Sequence, residues 1–259
     1  MKMNGLIGMM FLLAPCCFAA ATDTPCNLTV PVTEQPHLNQ SQQRSNWFYL
    51  QQELLELLGQ SAGCTIQAVN VPWSRSLLML EEGQLDLVMT LSKNAERERY
   101  ADFIGSHYVE EMILVLRNEY STQLKNLADL TLLPGQVAVL RDGFYGDSYQ
   151  QLQQQREFAA KLQMANTISH QLALLEHGRV IGMIGERTQY EQWAKVHPEL
   201  ARQYSEQLIV HRNPVYFAAS RKALNQQQRD HLRASWAKVY GSPAHKAILA
   251  KYGWSAQLD

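Results

Sequence analysis

From residue 47 to residue 59 the apolar positions recur at Leu50, Leu54, Leu57 and Leu58. That spacing of three and four lines one face of a helix, and Gly59 supplies its stop. The segments on either side keep another rhythm. Leu28-Thr-Val-Pro-Val32 and Thr65-Ile-Gln-Ala-Val-Asn-Val71 are short and rich in β-branched residues, so they read as strands. Glu82-Gly83 marks the end of a second helix, and the apolar run over 85–91 is of strand length. Strand, helix, strand, helix, strand up to Val88 is the alternation of a parallel α/β sheet. A further strand is predicted over 112–116, followed by a polar stretch over 118–125.

A second α/β cycle begins at Gly135-Gln-Val-Ala-Val-Leu140 and runs through Gly143-Phe-Tyr-Gly146 into a helix predicted over 147–162. A short helix over 168–177, an apolar strand over 179–184, a helix over 192–204 and strands over 207–211 and 215–219 follow. The tail over 225–252 reads as two helices broken near Gly241-Ser-Pro243. Leu80-Glu-Glu-Gly-Gln-Leu-Asp-Leu-Val and Leu175-Glu-His-Gly-Arg-Val-Ile-Gly-Met share a helix end, a glycine and a buried strand, an echo that two lobes of similar build would produce.

The 259 residues suit one large domain or two ordinary ones, and a hydrophobic fraction of 46% is ample for packed cores. Met1-Lys2, the apolar stretch over 6–13 and Cys17-Phe-Ala-Ala-Ala21 compose an export signal, predicted over 1–21. Its apolar part falls short of the ~20 residues that span a bilayer. Without Lys2 the basic count drops from 23 to 22 against 24 acidic residues, a balance that argues against nucleic acid or an anionic membrane as partner. Cys16 and Cys17 leave with the signal. Cys26 and Cys64 remain, each just ahead of a predicted strand; if those strands are parallel neighbours a disulfide is geometrically reasonable, the alternative being two free buried thiols. His170 and His177 lie a heptad apart and His107 far from both, so no metal-ligand spacing emerges, and no catalytic-serine, phosphate-loop or dinucleotide glycine motif is present. No cofactor and no metal are expected.

Ligands in open α/β sheets sit beyond the carboxyl ends of the strands. Trp73 follows one such strand end, and Ser92 with Arg97 follows the next. A planar, permanently charged, forked donor suits bidentate recognition of a carboxylate. Two plainer readings stand beside this one: Arg97 lies in a charged run (Lys93, Glu96, Glu98, Arg99) that would serve as a solvated turn, and Trp73 would serve as a core aromatic.

With Trp73, Gly83-Gln-Leu-Asp86, Ser92, Glu96-Arg97, Asp102-Phe103 and the closing Lys251-Tyr-Gly253 in place, the chain resembles the type II periplasmic solute-binding proteins of the polar amino acid-binding family, the soluble receptors of ABC importers. The resemblance implies a two-lobed α/β fold, each lobe a mainly parallel sheet flanked by helices. Residues 22–113 and 211–259 would form one lobe and 114–210 the other, joined by hinge crossovers near 114–117 and 210–213. It implies a monomer in the periplasm that captures a small-molecule ligand, an amino acid or related small acid, and docks on an inner-membrane permease. Arg97 would clamp the ligand carboxylate with Ser92, Thr90 would offer its backbone carbonyl to the ammonium, and Trp73 would form one wall. In the second lobe Glu186 would pair with the α-ammonium, the plainer readings being a helix N-terminal acid favoured by the dipole for Glu186 and packing on the following helix for Tyr145. The turn at Gly143, Phe144 and Tyr145 would turn backbone N–H groups and an aromatic ring toward the ligand, and Gln35, His37 and Trp47 would line its side-chain end. Glu186 stands where the family usually has aspartate, Gly178-Arg-Val-Ile lacks the aspartate of its counterpart Gly83-Gln-Leu-Asp86, and Ser92-Lys-Asn-Ala lacks the second threonine; these departures open the site to a smaller or differently spaced ligand. The resemblance implies a non-enzymatic receptor. The competing functions are an orphan sensor without a permease and a dehydratase acting on cyclohexadienyl acids, for which Glu186 would be the acid although Gln189, one helical turn on, supplies no second carboxylate.

Overall fold

The computed structural model describes residues 26–32, 46–121 and 124–254. The expected export signal, Gln35 and His37 lie outside the described residues. Strands β1 (Cys26–Val32) and β2 (Cys64–Asn70) pair in parallel around α1 (Asn46–Ala62), whose Leu50, Leu54 and Leu58 are buried. Each such leucine contributes roughly 1.5–3 kcal/mol of burial. The first rung of the pair sets Cys26 opposite Cys64, and a disulfide joins them there. Helix α2 (Trp73–Glu82) starts after Pro72 and stops on Gly83, whose φ of 76° is the left-handed conformation that closes helices. Asp86 then ties β1 to the strand that follows: its side chain accepts from Thr29 N at 2.7 Å while its own N–H donates back to Thr29 O at 3.0 Å.

Strand β3 (Leu87–Ser92) and a 3-10 turn (Arg97–Arg99) lead into β4 (Ala101–Arg117), and β5 (Val137–Leu140) precedes α3 (Asp147–Gln153), α4 (Arg156–Ala159) and β6 (Leu162–Ala165). Next come α5 (Ile168–Glu176), β7 (Gly182–Glu186), α6 (Arg187–Val196), α7 (Pro198–Ala201), β8 (Tyr204–Ser220), α8 (Gln226–Val239) and α9 (Pro243–Tyr252). The six-stranded sheet runs β3-β8-β4-β7-β5-β6, with β5 parallel to β6 and β7 and the other neighbours antiparallel.

Four expectations are revised. The single helix over 147–162 is two short helices and a strand, because Gln155 is extended (φ −83°, ψ 124°) and breaks the run before Leu162-Gln-Met-Ala165 pairs with β5. The helix over 192–204 ends at Val196; Pro198 forbids continuation and pushes His197 out of the helical region. The strand over 112–116 is the end of a 17-residue strand, and the strands over 207–211 and 215–219 are one. Strands β4 and β8 therefore run together through the whole molecule. On one side Met89, Val215 and Phe217 pack with α1, Trp236 and Leu249; on the other, Leu114, Leu116, Val139 and Ile184 pack with Tyr149 and Phe158. The result is a two-lobed α/β fold. Between the lobes Met112 pairs with His211 but Ile113 with Ile209, so one residue of β8 bulges out.

Candidate ligand-binding site

All eight residues expected at the site, Trp73, Thr90, Ser92, Arg97, Gly143, Phe144, Tyr145 and Glu186, line one cavity of about 80 Å³. It adjoins a more polar opening of about 650 Å³ bounded by α2 and residues 149–154.

On the β3 side, the pairing with β8 shifts register between Val88 and Leu91, and Thr90 takes φ 60° within that bulge. A β-branched residue adopts such a conformation only where the surroundings enforce it. The bulge takes Thr90 out of the ladder, and the residue lines the cavity. Arg97 opens the 3-10 turn, held by its N–H to Asn94 Oδ1 at 2.8 Å, and its side chain is 5% exposed, which removes the solvated-turn reading. Its Nη1 donates to Ser92 O at 2.9 Å and its Nη2 to Asp142 O at 3.0 Å, with the Phe144 ring 5.9 Å away. Burial lowers its pKa, opposed by Tyr100 and Glu110, and a guanidinium so placed stays charged. Trp73 is both a core aromatic and a cavity wall: it packs against the apolar cluster that holds Leu80, Leu85, Val88 and Leu91, and its Nε1 reaches Asp142 O at 3.4 Å.

Across the cavity the groups are more engaged with their own lobe. Asp142, at φ 59°, presents the carbonyl that Arg97 and Trp73 share. The Gly143 N–H donates to Leu140 O at 3.1 Å and so faces its own turn rather than an anion; a Cβ at Gly143 would meet the Tyr145 ring at 2.9–3.0 Å. The Tyr145 hydroxyl accepts from Leu140 N at 2.7 Å, and burial pushes its pKa well up. Glu186 ends β7 and caps α6, accepting from Gln189 N at 2.9 Å. Burial raises its pKa to about 7, against hydrogen bonds from Thr188 and Gln189. It is a helix cap and a cavity wall at once. Gln171 braces this floor, donating to Ala138 O and Ile184 O at 3.0 and 2.7 Å.

One functional group was missed from the sequence. Glu110, from β4, lines the cavity at 6% exposure, and its Oε1 accepts from Ser92 Oγ at 2.9 Å and Asn213 Nδ2 at 3.2 Å. Burial raises its pKa to about 8, with the charge of Glu186 pushing the same way. A second carboxylate therefore is present in the cleft, supplied by a strand rather than by the helix turn where Gln189 stands. The signal was an acid flanked by apolar residues in Tyr108-Val-Glu-Glu-Met112-Ile, but with the strand expected to begin at 112 it fell in a loop. Tyr108, Met112, Thr167, Ile168 and Gln171 join Trp47 in the lining. Among the described residues no group of three or more His, Cys, Asp or Glu is set to hold a metal ion, and no helix is long and apolar enough to cross a membrane.

Two lobes meeting over a buried arginine define a binding-protein fold with its cleft between the lobes. The chain belongs to the bacterial extracellular solute-binding proteins, family 3, whose model matches residues 50–253. No curated protein matches it. Among solved structures it is similar to an ancestral arginine-binding protein bound to arginine (15% identity, 87% of this chain and 97% of that one, TM-score 0.72). It is also similar to a histidine kinase sensor domain with similarity to periplasmic binding proteins (18%, 88% and 95%, TM-score 0.69). A third is a periplasmic binding protein of Salmonella typhimurium with high arginine specificity (17%, 87% and 98%, TM-score 0.66). At these identities the likeness is one of fold.

Proposed function

We propose that the protein is a periplasmic receptor that captures a small zwitterionic or carboxylate ligand, an amino acid in the simplest case, between its lobes and delivers it to an inner-membrane ABC permease. The observation that carries this reading is Arg97. A guanidinium buried in a cavity wall, held by two backbone carbonyls and with no carboxylate in ion-pair contact among the described residues, carries an uncompensated charge. A ligand carboxylate compensates it. Thr90, freed from its ladder, offers a carbonyl to the ammonium, Glu186 offers a carboxylate, and Trp73 and Phe144 exclude water.

Closure follows from the same geometry. With 22–113 and 211–259 as one lobe and 114–210 as the other, Arg97 and Trp73 of the first reach Asp142 O of the second, so these bonds form only with the lobes together. The bulge at Met112–Ile113 opposite His211 and Ile209 lies where such a hinge must bend. A thermal-shift screen of the mature protein against amino acids and related acids and amines tests the reading, since a ligand at a hundredfold excess over Kd stabilises by ~2.7 kcal/mol. A rise confined to compounds bearing a carboxylate is expected; a rise with amines that lack one would overturn it.

A second reading rests on Glu110 and Glu186. Two buried carboxyls that hold their protons near neutral pH are what a dehydratase of cyclohexadienyl acids needs to protonate a leaving hydroxyl. The ultraviolet signature of an aromatic product on incubation with such an acid would favour it over the receptor.

A further inference from the structure

The amino acid reading, on which this inference rests, leaves one group without a task. A zwitterion offers one carboxylate to Arg97 and one ammonium to Glu186, yet Glu110 lines the same cavity. From Arg97, Glu110 and Glu186 we infer that the ligand carries a second basic nitrogen on a short side chain, and that Glu110 receives it: the site selects short diamino acids of net positive charge over neutral amino acids of the same size.

Three features of the cavity converge on this. The first is charge. With Arg97 answered by the ligand carboxylate and Glu186 by its α-ammonium, Glu110 is left a carboxyl with no opposite charge beside it, and a second ammonium there would draw off the proton that burial holds on it, which a neutral side chain cannot do. The second is the hydrogen bonding of Glu110. Ser92 Oγ and Asn213 Nδ2 both reach Oε1, so Oε2 has no donor from the described protein, while nothing about the fold of β4 requires an acid at this position. Glu186 differs in having a structural task, the capping of α6 through Gln189 N. The third is spacing. Ser92 touches both ends of the proposed contact, its carbonyl accepting from Arg97 Nη1 at 2.9 Å and its hydroxyl donating to Glu110 Oε1 at 2.9 Å, so a nitrogen on Glu110 stands one residue's width from a carboxylate on Arg97, the reach of 2,3-diaminopropionate and 2,4-diaminobutyrate. Trp47, Trp73 and Phe144 complete the wall, and their ring faces attract an ammonium as well as excluding water.

The test is calorimetric titration of the mature protein with two matched pairs: 2,3-diaminopropionate against 2-aminobutyrate, and 2,4-diaminobutyrate against norvaline. In each pair only the charge of the terminal group changes. The wild type is expected to bind the diamino member at least tenfold more tightly. Glu110→Gln is expected to bring that ratio to near one, and Glu110→Asp to keep part of it; melting curves and near-ultraviolet circular dichroism of both variants establish that they are folded. A wild type that prefers the neutral members, or a Glu110→Gln variant that keeps the full ratio, would overturn the inference and leave the amino acid reading standing. Failure of all four compounds to bind the wild type while another amino acid binds in the thermal-shift screen would overturn the inference alone; silence across that screen as well would overturn both.

Discussion

The two walls of the cleft are built on different terms. On the wall from β3, β4 and the Arg97 turn, the polar groups are left over from folding: Thr90 is expelled from its ladder, Arg97 has only carbonyls around it, and Glu110 keeps an oxygen without a donor. On the opposite wall the polar groups have structural work. Gly143 N and the Tyr145 hydroxyl close their own turn, Gln171 ties β5 to β7, and Glu186 caps α6. The first wall is thus organised for a ligand at a cost to stability, and the second for a stable lobe that contributes a carbonyl and an aromatic ring on closure. The difference teaches where to look for affinity and where for stability, and mutations should separate them.

The largest effect belongs to Arg97. Arg97→Ala should weaken binding of any carboxylate ligand by at least ~30-fold, the low end of the roughly 2–5 kcal/mol that truncating a buried charge partner costs, while the ligand-free melting temperature holds or rises because an uncompensated charge is gone. Titration calorimetry with parallel melting curves reads both. Next comes the staple on the far edge of the first lobe. Replacing Cys26 and Cys64 by serine should cost roughly 3–4 kcal/mol of stability for a loop of 38 residues and leave ligand affinity where it was, since neither cysteine lines the cavity.

The two acids give the sharpest contrast of the walls. Glu186→Ala should destabilise the protein by about 0.5–2 kcal/mol through the lost cap, whereas Glu110→Gln should leave stability unchanged or improve it, with denaturant melts as the readout. If both substitutions destabilise alike, the distinction between the walls fails. The smallest effect is the pH dependence. Glu110 and Glu186 are held neutral in the folded state with pKa values raised to about 8 and about 7, so the unfolded chain gives up these protons first as pH rises. Their contribution is fully present below the ordinary carboxylate range and is lost as pH climbs through 7 and 8. The ligand-free protein should therefore melt lower at pH 8.5 than at pH 5.5, by at least the ~2–4 °C that ~1 kcal/mol produces in a chain of this size. A flat profile would deny that the carboxyls are buried neutral.

Much of this was legible in the residues, for physical reasons that differ by element. The cysteines could be paired because each precedes a strand, and parallel neighbours start together. Gly83 announced its helix end because few other residues take φ 76° without strain. Arg97, Ser92 and Trp73 stood out because they lie close in sequence and follow strand ends. Glu110 did not, and the reason is periodicity. In β4 alternate residues face opposite sides, so Glu110 turns into the cavity while Glu111 turns out to pair with Arg187 and Arg212. In sequence the two form a single charged dipeptide that reads as the edge of a loop. Its partners, Ser92 and Asn213, lie 18 and 103 residues away, beyond any local pattern. Strand β6 was lost for a simpler reason: Leu162-Gln-Met-Ala165 has no β-branched residue and continues the helical spacing before it.

The claim on which the rest depends is that Arg97 holds a ligand carboxylate in a closed cleft. The most direct measurement is titration of the mature protein with the tightest-binding amino acid of the screen and with its primary carboxamide, which keeps size and ammonium and removes only the anionic group. The account predicts that the carboxamide binds at least ~30-fold more weakly, in line with the buried charge pair it fails to form. Equal affinity for the two would contradict it.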